Sequence, residues 1–395
     1  MRRSSLAATA IAGIGFTNYT RNSGRSVEAL ADEAARKAIA DAGLQPTDID
    51  GVVTFGLGDT VGTSVVATNL GLKRLRHYAD YGAGGNVACA VVNHAAMAVA
   101  TGQADAVLVY RALNGASGQR YGGKAFSKLL EMGGVHSDAE QQFLDPYGVL
   151  MPAHHFALLC RRHMSLYGTT VEQLGAIAVT CREHATLNEN AQKREPMTLA
   201  DYFASPWIAE PFRMLDCCLQ TDGACAMVVT TLERARDLKQ PAVRIMAGIT
   251  GAGPGNRGGM WSNFSPEPAD TYALHVRDEL FGAAGVGAQD MDFAQLYDCF
   301  TYSILGQVED YGFCAKGEGG PFFAEGHGKL GSKLPINTNG GLLSEGYIHG
   351  LNSVVEGVVQ LRRQAGARQV ADAEVGLVTA GGATATGSAL VLGRA

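Results

Sequence analysis

Two stretches of this chain repeat one another. AGLQPTDIDGVVTF (Ala42–Phe55) and AGVGAQDMDFAQLY (Ala284–Tyr297) both read Ala-Gly-apolar, three residues, Asp-apolar-Asp, then an apolar run, at an offset of 242. A looser pair, GQADAVLVY from Gly102 and GARQVADAEVGLV from Gly366, follows in the same order. Chance similarity is the bland explanation, but matched order weighs against it. The pattern predicts an internal duplication, each half alternating strand and helix.

The elements around these repeats are legible. Val27, Leu30, Ala34, Ala38 and Ile39 share one helical face, with Ser26 as N-cap and Gly43 as stop. Asp50 to Phe55 reads as a buried strand. Gly85 to Thr101 is Ala/Val-rich with almost no charge, so it reads as a helix buried all round. Ala106 to Tyr110 and Asp222 to Val229 read as further strands. About 115–215 is a long insertion holding two helical segments split by Gly168-Thr-Thr. An insertion of this length is rarely structureless and often covers a site.

Composition narrows the function classes. Hydrophobic residues make up 46% and charged residues 18% of 395, and the net charge of −6 gives no bulk attraction to nucleic acid or anionic membranes. Leu6 to Gly15 is too broken by Thr and Gly for a signal segment and reads as a first strand. No apolar run approaches a membrane span of about 18 residues. The eight cysteines form no CxxC pair and no zinc spacing, so reduced thiols in a cytoplasmic protein are expected, with no metal.

The stretches RRHMSLYGTTVEQLGAIAV, LNENAQKREPMTLADY, DCCLQTDGACAMVV, LYDCFTYSILGQVEDYGF and INTNGGLLSEGYIHGLNSVVEGVVQLR together resemble the thiolase superfamily. They are most similar to its sterol-carrier or lipid-transfer-protein branch. The resemblance covers nearly the whole chain. It implies an α/β thiolase fold: two βαβαβ halves in a five-layer αβαβα arrangement with an inserted helical loop domain. Residues 1–235 would form the first half, with the loop domain at about 115–215, and residues 236–395 the second.

The departures from that family carry the functional reading. Where a thiolase has its nucleophilic Cys, this chain reads YGAGGNVACAVV, with Gly82 or a close neighbour at that position; Cys89 lies about two turns into the helix. Where a thiolase has Gly-His-Pro, this chain has Gly346-Tyr347-Ile348. The second reactive Cys corresponds to Thr379 or Ala380, and the strand-end motif is Tyr297-Asp298. Without a thiolate no acyl-enzyme forms, so thiolysis and Claisen condensation by that route are excluded. Two added phenols, with the glycine turns retained, resemble the bacterial steroid side-chain-cleaving aldolases. That resemblance implies retro-aldol cleavage of a β-hydroxyacyl-CoA, a 17-hydroxy steroid C22 side-chain thioester, to a 17-ketosteroid and propionyl-CoA.

Tyr297 and Tyr347 are therefore the candidate catalytic pair, one as base and one as acid. A Tyr of pKa about 10 is only about 0.1% ionised at pH 7. Lowering it by about 3 units takes roughly 4 kcal/mol. A helix start at Gly346 to Gly350 is expected to supply part of this, up to about 2 kcal/mol when partly buried. His349 is a candidate to polarise a phenol or donate to the thioester oxygen, and Asp298 to orient Tyr297. Gly82, Gly84, Gly341 and Gly346 are candidate substrate-binding turns. Arg161, Arg162 and Arg182 are candidates for CoA phosphate contacts. His154, His155, His163 and His184 read as surface or CoA-lining residues, and Gly251 to Trp261 as a substrate-facing loop without Walker spacing. Asn337 and Asn339 read as turn formers.

No cofactor is expected beyond the CoA of the substrate. The resemblance implies a homodimer and a small OB-fold partner associated with an enoyl-CoA hydratase. The rival reading is a non-catalytic acyl-CoA or lipid-binding scaffold for a partner enzyme. A hydrolytic or decarboxylating thioesterase lacks an evident nucleophile or base.

Overall fold

A computed structural model describes residues 5–118, 139–254, 263 and 265–395. Strands β1 (Thr9–Phe16), β2 (Gly51–Gly56), β3 (His77–Gly82), β4 (Ala106–Asn114) and β7 (Asp222–Thr231) form one half-sheet, in the order β3-β2-β4-β7-β1. Strands β8 (Val243–Ala252), β9 (Phe293–Gln295), β10 (Val375–Ala380) and β11 (Thr386–Arg394) form the other, in the order β8-β11-β10-β9. Strands β5 (Trp207–Ala209) and β6 (Phe212–Arg213) make a separate small hairpin. The pairing sense repeats: two antiparallel steps from β1 through β7 to β4 and from β8 through β11 to β10, then a parallel step to β2 and to β9. The β3 position is reduced in the second half to a parallel bridge between Ala294 and Ile336. The half-sheets join at one corner, Ala10 opposite Arg244 and Ile11 opposite Val243.

The duplication extends to single hydrogen bonds. Gly43 and Gly285 end their helices at φ 76°. The Asp48 carboxylate accepts from the Gln45 N–H, and the Asp290 carboxylate from the Gly287 N–H, both at 2.8 Å. Asp50 accepts the N–H groups of Asp105 and Ala106 where β4 begins, and Asp292 those of Glu374 and Val375 where β10 begins. The Asp-apolar-Asp motif thus caps a short turn with its first carboxylate and ties two parallel strands with its second.

Side chains alternate across the sheets. On β4, Ala106, Leu108, Tyr110 and Ala112 face the helix Val27–Ala42, and Val107, Val109 and Leu113 face inward. Helix Val27–Ala42 lies so close on β1 that a Cβ at Gly13 or Gly15 would meet helix carbonyls at 2.2 and 2.3 Å. Helix Tyr272–Ala284 covers the second half-sheet in the same way. Between the half-sheets run helices Ala88–Ala100 and Leu351–Leu361, each touching strands of both halves. The result is the expected five-layer αβαβα arrangement. Helix Ala88–Ala100 is not buried all round, because Met97 and Ala100 are exposed.

The described part of the insertion holds the β5–β6 hairpin and four helices: Ala139–Leu144, Pro152–Tyr167, Val171–Thr186 and Leu199–Ala204. Gly168 (φ 74°) stops one helix and Thr170 caps the next, as Gly168-Thr-Thr predicts. Residues 119–138 of the insertion, and most of Gly251–Trp261, lie outside the described residues. Among the described residues no helix is long and apolar enough to cross a membrane.

Candidate active site

The N-terminal ends of the two central helices meet, and the two tyrosines meet there. Tyr297 follows the end of β9, and Tyr347 lies in the loop before helix Leu351–Leu361. Their hydroxyl oxygens are 2.8 Å apart, with the rings edge to face. Tyr297 is 4% exposed and Tyr347 half-buried, so the pair reaches toward solvent through Tyr347.

Three glycines make room for the Tyr297 ring. A Cβ at Gly85 would lie 1.9 Å from its hydroxyl oxygen, one at Gly350 2.8 Å from the ring and one at Gly382 3.3 Å. Gly85 opens the turn Gly85–Val87 before helix Ala88–Ala100. The phenol hydroxyl therefore fills the space that a side chain at residue 85 would need. A Cβ at Gly82 would meet nothing within 4 Å, and one at Gly84 only Leu57. Gly346 packs on the ring of Tyr19, and Gly341 (φ 63°) makes room for the Asp298 carboxylate. None of these four touches the phenols. Cys89 is buried core, its thiol pushed well up by burial.

Backbone and loop contacts fix both tyrosines. The Thr379 hydroxyl accepts the Tyr297 N–H at 2.9 Å, and Gln307 donates to the Tyr297 carbonyl at 2.8 Å. The Tyr347 N–H donates to the Thr221 hydroxyl at 2.8 Å. The inserted domain grips the same loop. Asn188 donates to the Asn339 carbonyl and to Glu345, the Gln192 N–H donates to the Glu345 carbonyl, and Arg182 donates to the Ser344 hydroxyl. Arg182 is thus a buried structural clamp rather than a phosphate contact. Asn339 and Asn352 also donate to Glu345, whose acidity burial weakens, to a pKa of about 8.

Asp298 does not orient the phenols. Its carboxylate accepts the N–H groups of Leu342 (2.8 Å) and Leu343 (3.3 Å) and caps the one-turn helix Gly341–Ser344. Burial raises its pKa to about 7 against these bonds. Arg161 and Arg162 sit exposed on helix Pro152–Tyr167, and Arg162 pairs with Glu267 at 3.0 Å. Three of the loop histidines are buried rather than on the surface: His163 bonds Glu309 and Thr169, His184 bonds the Asn337 carbonyl, and His155 bonds Asn263.

His349 does belong to the site. Its ring stands edge-on to Tyr347, with centroids 4.9 Å apart, and it adopts a left-handed backbone (φ 51°) directly before Gly350 (φ 84°). Its Nδ1 lies 2.9 Å from Arg111 Nη2 and 3.3 Å from Nε. Burial, then the Arg111 charge, pushes its pKa down to about 3. Arg111 is fully buried and pairs with Asp59 at 2.6 Å. Burial works against ionised Asp59, but Arg111 and the Leu57 N–H hold its carboxyl below the usual range. Sequence reasoning missed Arg111 and Asp59. The signal was a lone arginine in Ala-Val-Leu-Val-Tyr-Arg-Ala-Leu, a charge inside a strand buried on both faces, which demands a partner.

Burial also reverses the expectation for the phenols. The helix begins at Leu351, four residues after Tyr347. Both phenols are pushed well above their ordinary value, Tyr347 by burial and then by Tyr297, and Tyr297 by burial and then by Cys299. Each therefore keeps its proton at neutral pH. Among the described residues no group of three or more His, Cys, Asp or Glu is placed to hold a metal ion.

Residues 266–394 match the family described as thiolase C-terminal domain-like. The chain is 46% identical over 386 residues to 17-hydroxy-3-oxo-4-pregnene-20-carboxyl-CoA lyase of Mycobacterium tuberculosis, covering 97% of this chain and 98% of that protein. The chain belongs to the steroid side-chain-cleaving aldolase family of the thiolase superfamily. It is 44% identical to the steroid side-chain-cleaving aldolase of Thermomonospora curvata, over 98% of each chain. A solved structure, the Ltp2-ChsH2(DUF35) aldolase, superposes with a TM-score of 0.91 at 42% identity, over 99% of each chain. The fold is shared with thiolases, and in this chain two paired phenols, Tyr297 in the strand-end motif and Tyr347 at the Gly-His-Pro turn, meet in the site.

Proposed function

We propose that this chain cleaves a steroid side-chain CoA thioester by a retro-aldol reaction, using Tyr297 and Tyr347 as a proton relay. A 17-hydroxy C22 thioester would give a 17-ketosteroid and propionyl-CoA. The observation that carries this reading is the 2.8 Å hydroxyl pair in a space cleared by Gly85, Gly350 and Gly382. The relatives' names support the substrate class.

The raised pKa values favour a relay over a free phenolate. The β-hydroxyl proton passes to one phenol oxygen as that phenol's own proton passes to the other. The Cα–Cβ bond breaks, its electron pair moves into the thioester, and the β-carbon becomes the ketone. The second phenol delivers its proton to Cα, which completes propionyl-CoA. Each phenol ends with one proton and no charge is left in the apolar site, where charge separation is costly. The thioester oxygen gains negative charge during cleavage and is served best by a fixed donor; His349 is the residue for that role. The reaction as written uses no cofactor beyond the substrate's own CoA.

The chain works in the cytoplasm as a homodimer with a small OB-fold partner. The solved DUF35-containing relative supports the partner. So does exposed apolar surface on the inserted domain, at Phe143, Tyr147, Leu150, Trp207, Ile208 and Met214. All eight thiols are free, which suits a reducing compartment.

The test is incubation of the protein and its partner with the steroid β-hydroxyacyl-CoA. Ketosteroid and propionyl-CoA are expected in equal amounts. Tyr297→Phe and Tyr347→Phe should each slow turnover by about 10²–10⁴-fold, the usual share of general acid–base catalysis, with melting temperature little changed. Wild-type rates in both variants would remove the proposal.

A further inference from the structure

We propose that Asp59 and Arg111 are positioning residues, whose ion pair holds His349 as the neutral tautomer carrying its proton on Nε2. The inference rests on His349 serving the reaction proposed above. A guanidinium has five N–H donors, no acceptor, and does not lose its proton in proteins. At 2.9 and 3.3 Å from Arg111, His349 Nδ1 must therefore accept. The proton of the neutral ring is thereby confined to Nε2, leaving one donor in a fixed direction. An imidazolium would place an N–H against the guanidinium, and the same contact excludes it.

The rest of the chain keeps this arrangement rigid. Arg111 Nη1 donates to the Ala112 carbonyl at 2.7 Å, and Nη2 donates to Asp59 at 2.6 Å. Phe55 lies under both groups, with its ring centroid 5.4 Å from the Arg111 guanidinium carbon and stacked on the His349 ring at 6.2 Å. Asp59 also lines a cavity of about 320 Å³ with Thr60, Val61, Leu113 and Asn114, while the Arg111 side chain is fully buried. Because Arg111 cannot pass a proton, the trio acts as an orienting clamp, not a proton wire. The carboxylate–arginine–imidazole order places the positive charge beside the histidine, so the ring works only as a neutral donor.

The decisive experiment pairs a spectroscopic readout with kinetics. In ¹⁵N-histidine-labelled protein without substrate, long-range ¹H–¹⁵N correlation should give His349 as the neutral Nε2–H tautomer from pH 5.5 to 8. Asp59→Asn should loosen the clamp and yield a mixture of tautomers. In the aldolase assay the same variant should lose about 10- to 100-fold in kcat, the usual loss when an orienting partner is removed, with KM changed less than about threefold. Asp59→Glu should restore both readouts in part. An Nδ1–H tautomer or an imidazolium in the unsubstituted protein overturns the inference, as does an unchanged kcat with mixed tautomers in Asp59→Asn. If Tyr297→Phe and Tyr347→Phe are fully active, the proposed reaction fails instead, and the tautomer result stands apart from it.

Discussion

At the scale of single residues, the site is a set of departures enforced by space. Tyr297 fits because Gly85 has no side chain, so Gly85→Ala should force the phenol aside. Its overpacking cost should be about 1–3 kcal/mol, visible as a lower melting temperature, with a larger proportional loss of turnover. Gly85→Cys should give no thiolase activity, because the phenol holds the space. An active and normally stable Gly85→Ala protein would contradict the contact at residue 85. A pH prediction follows from His349, whose pKa lies near 3. Lowered from about 6.5, it leaves the ring neutral throughout pH 5.5–8, so the rate profile should carry no limb that disappears in His349→Gln. The two tyrosines were legible in the sequence because they break otherwise matching motifs. Gly85 was not, since a shift of one to three positions at a strand–helix turn leaves no pattern. The phenol acidity was misjudged because a helix dipole offers about 2 kcal/mol at most, and burial of both rings outweighs it.

At the scale of elements, the tyrosine loop is held by buried polar groups on both sides. Asp298 shows how that grip depends on pH. Its folded-state pKa near 7 lies above the unfolded value of about 3.9. The folded form therefore binds the proton more tightly, and the favourable contribution is complete below pH 4 and lost as pH rises through 7. Asp298→Asn removes this titration, so its melting temperature should vary less between pH 4 and 7 than that of the unsubstituted protein. Parallel melting curves over that range would contradict the assignment. The Asp-apolar-Asp repeat announced this level of structure in part, because its first carboxylate closes a turn three residues long, whereas the strand-tying partners of the second lie more than fifty residues away. Arg182, expected as a CoA phosphate contact, and the buried histidines, expected as surface or CoA-lining groups, have partners, Ser344, Glu309 and the Asn337 carbonyl, about 150 residues away, beyond the reach of local pattern.

At the scale of the whole molecule, two similar half-sheets share one middle layer of two helices. That sharing makes the halves interdependent: helix Leu351–Leu361 touches β1 and β7 as well as its own half's strands. Leu361→Ala, a fully buried site in the shared core, should cost about 2–5 kcal/mol and lower a single cooperative transition. Separate melting of two halves would contradict the shared layer. The same layer explains the place of the active site. Both central helices begin at one level, so the turn before each, Gly85–Val87 and Tyr347–Gly350, borders the same space.

The central claim is that the two phenols act as one unit, and a double-mutant cycle on turnover tests it most directly. Tyr297→Phe, Tyr347→Phe and the double variant should lose rate to about the same extent, because breaking either end of a relay abolishes it and the second loss adds little. Multiplicative losses, or a single variant that keeps the full rate, would contradict it.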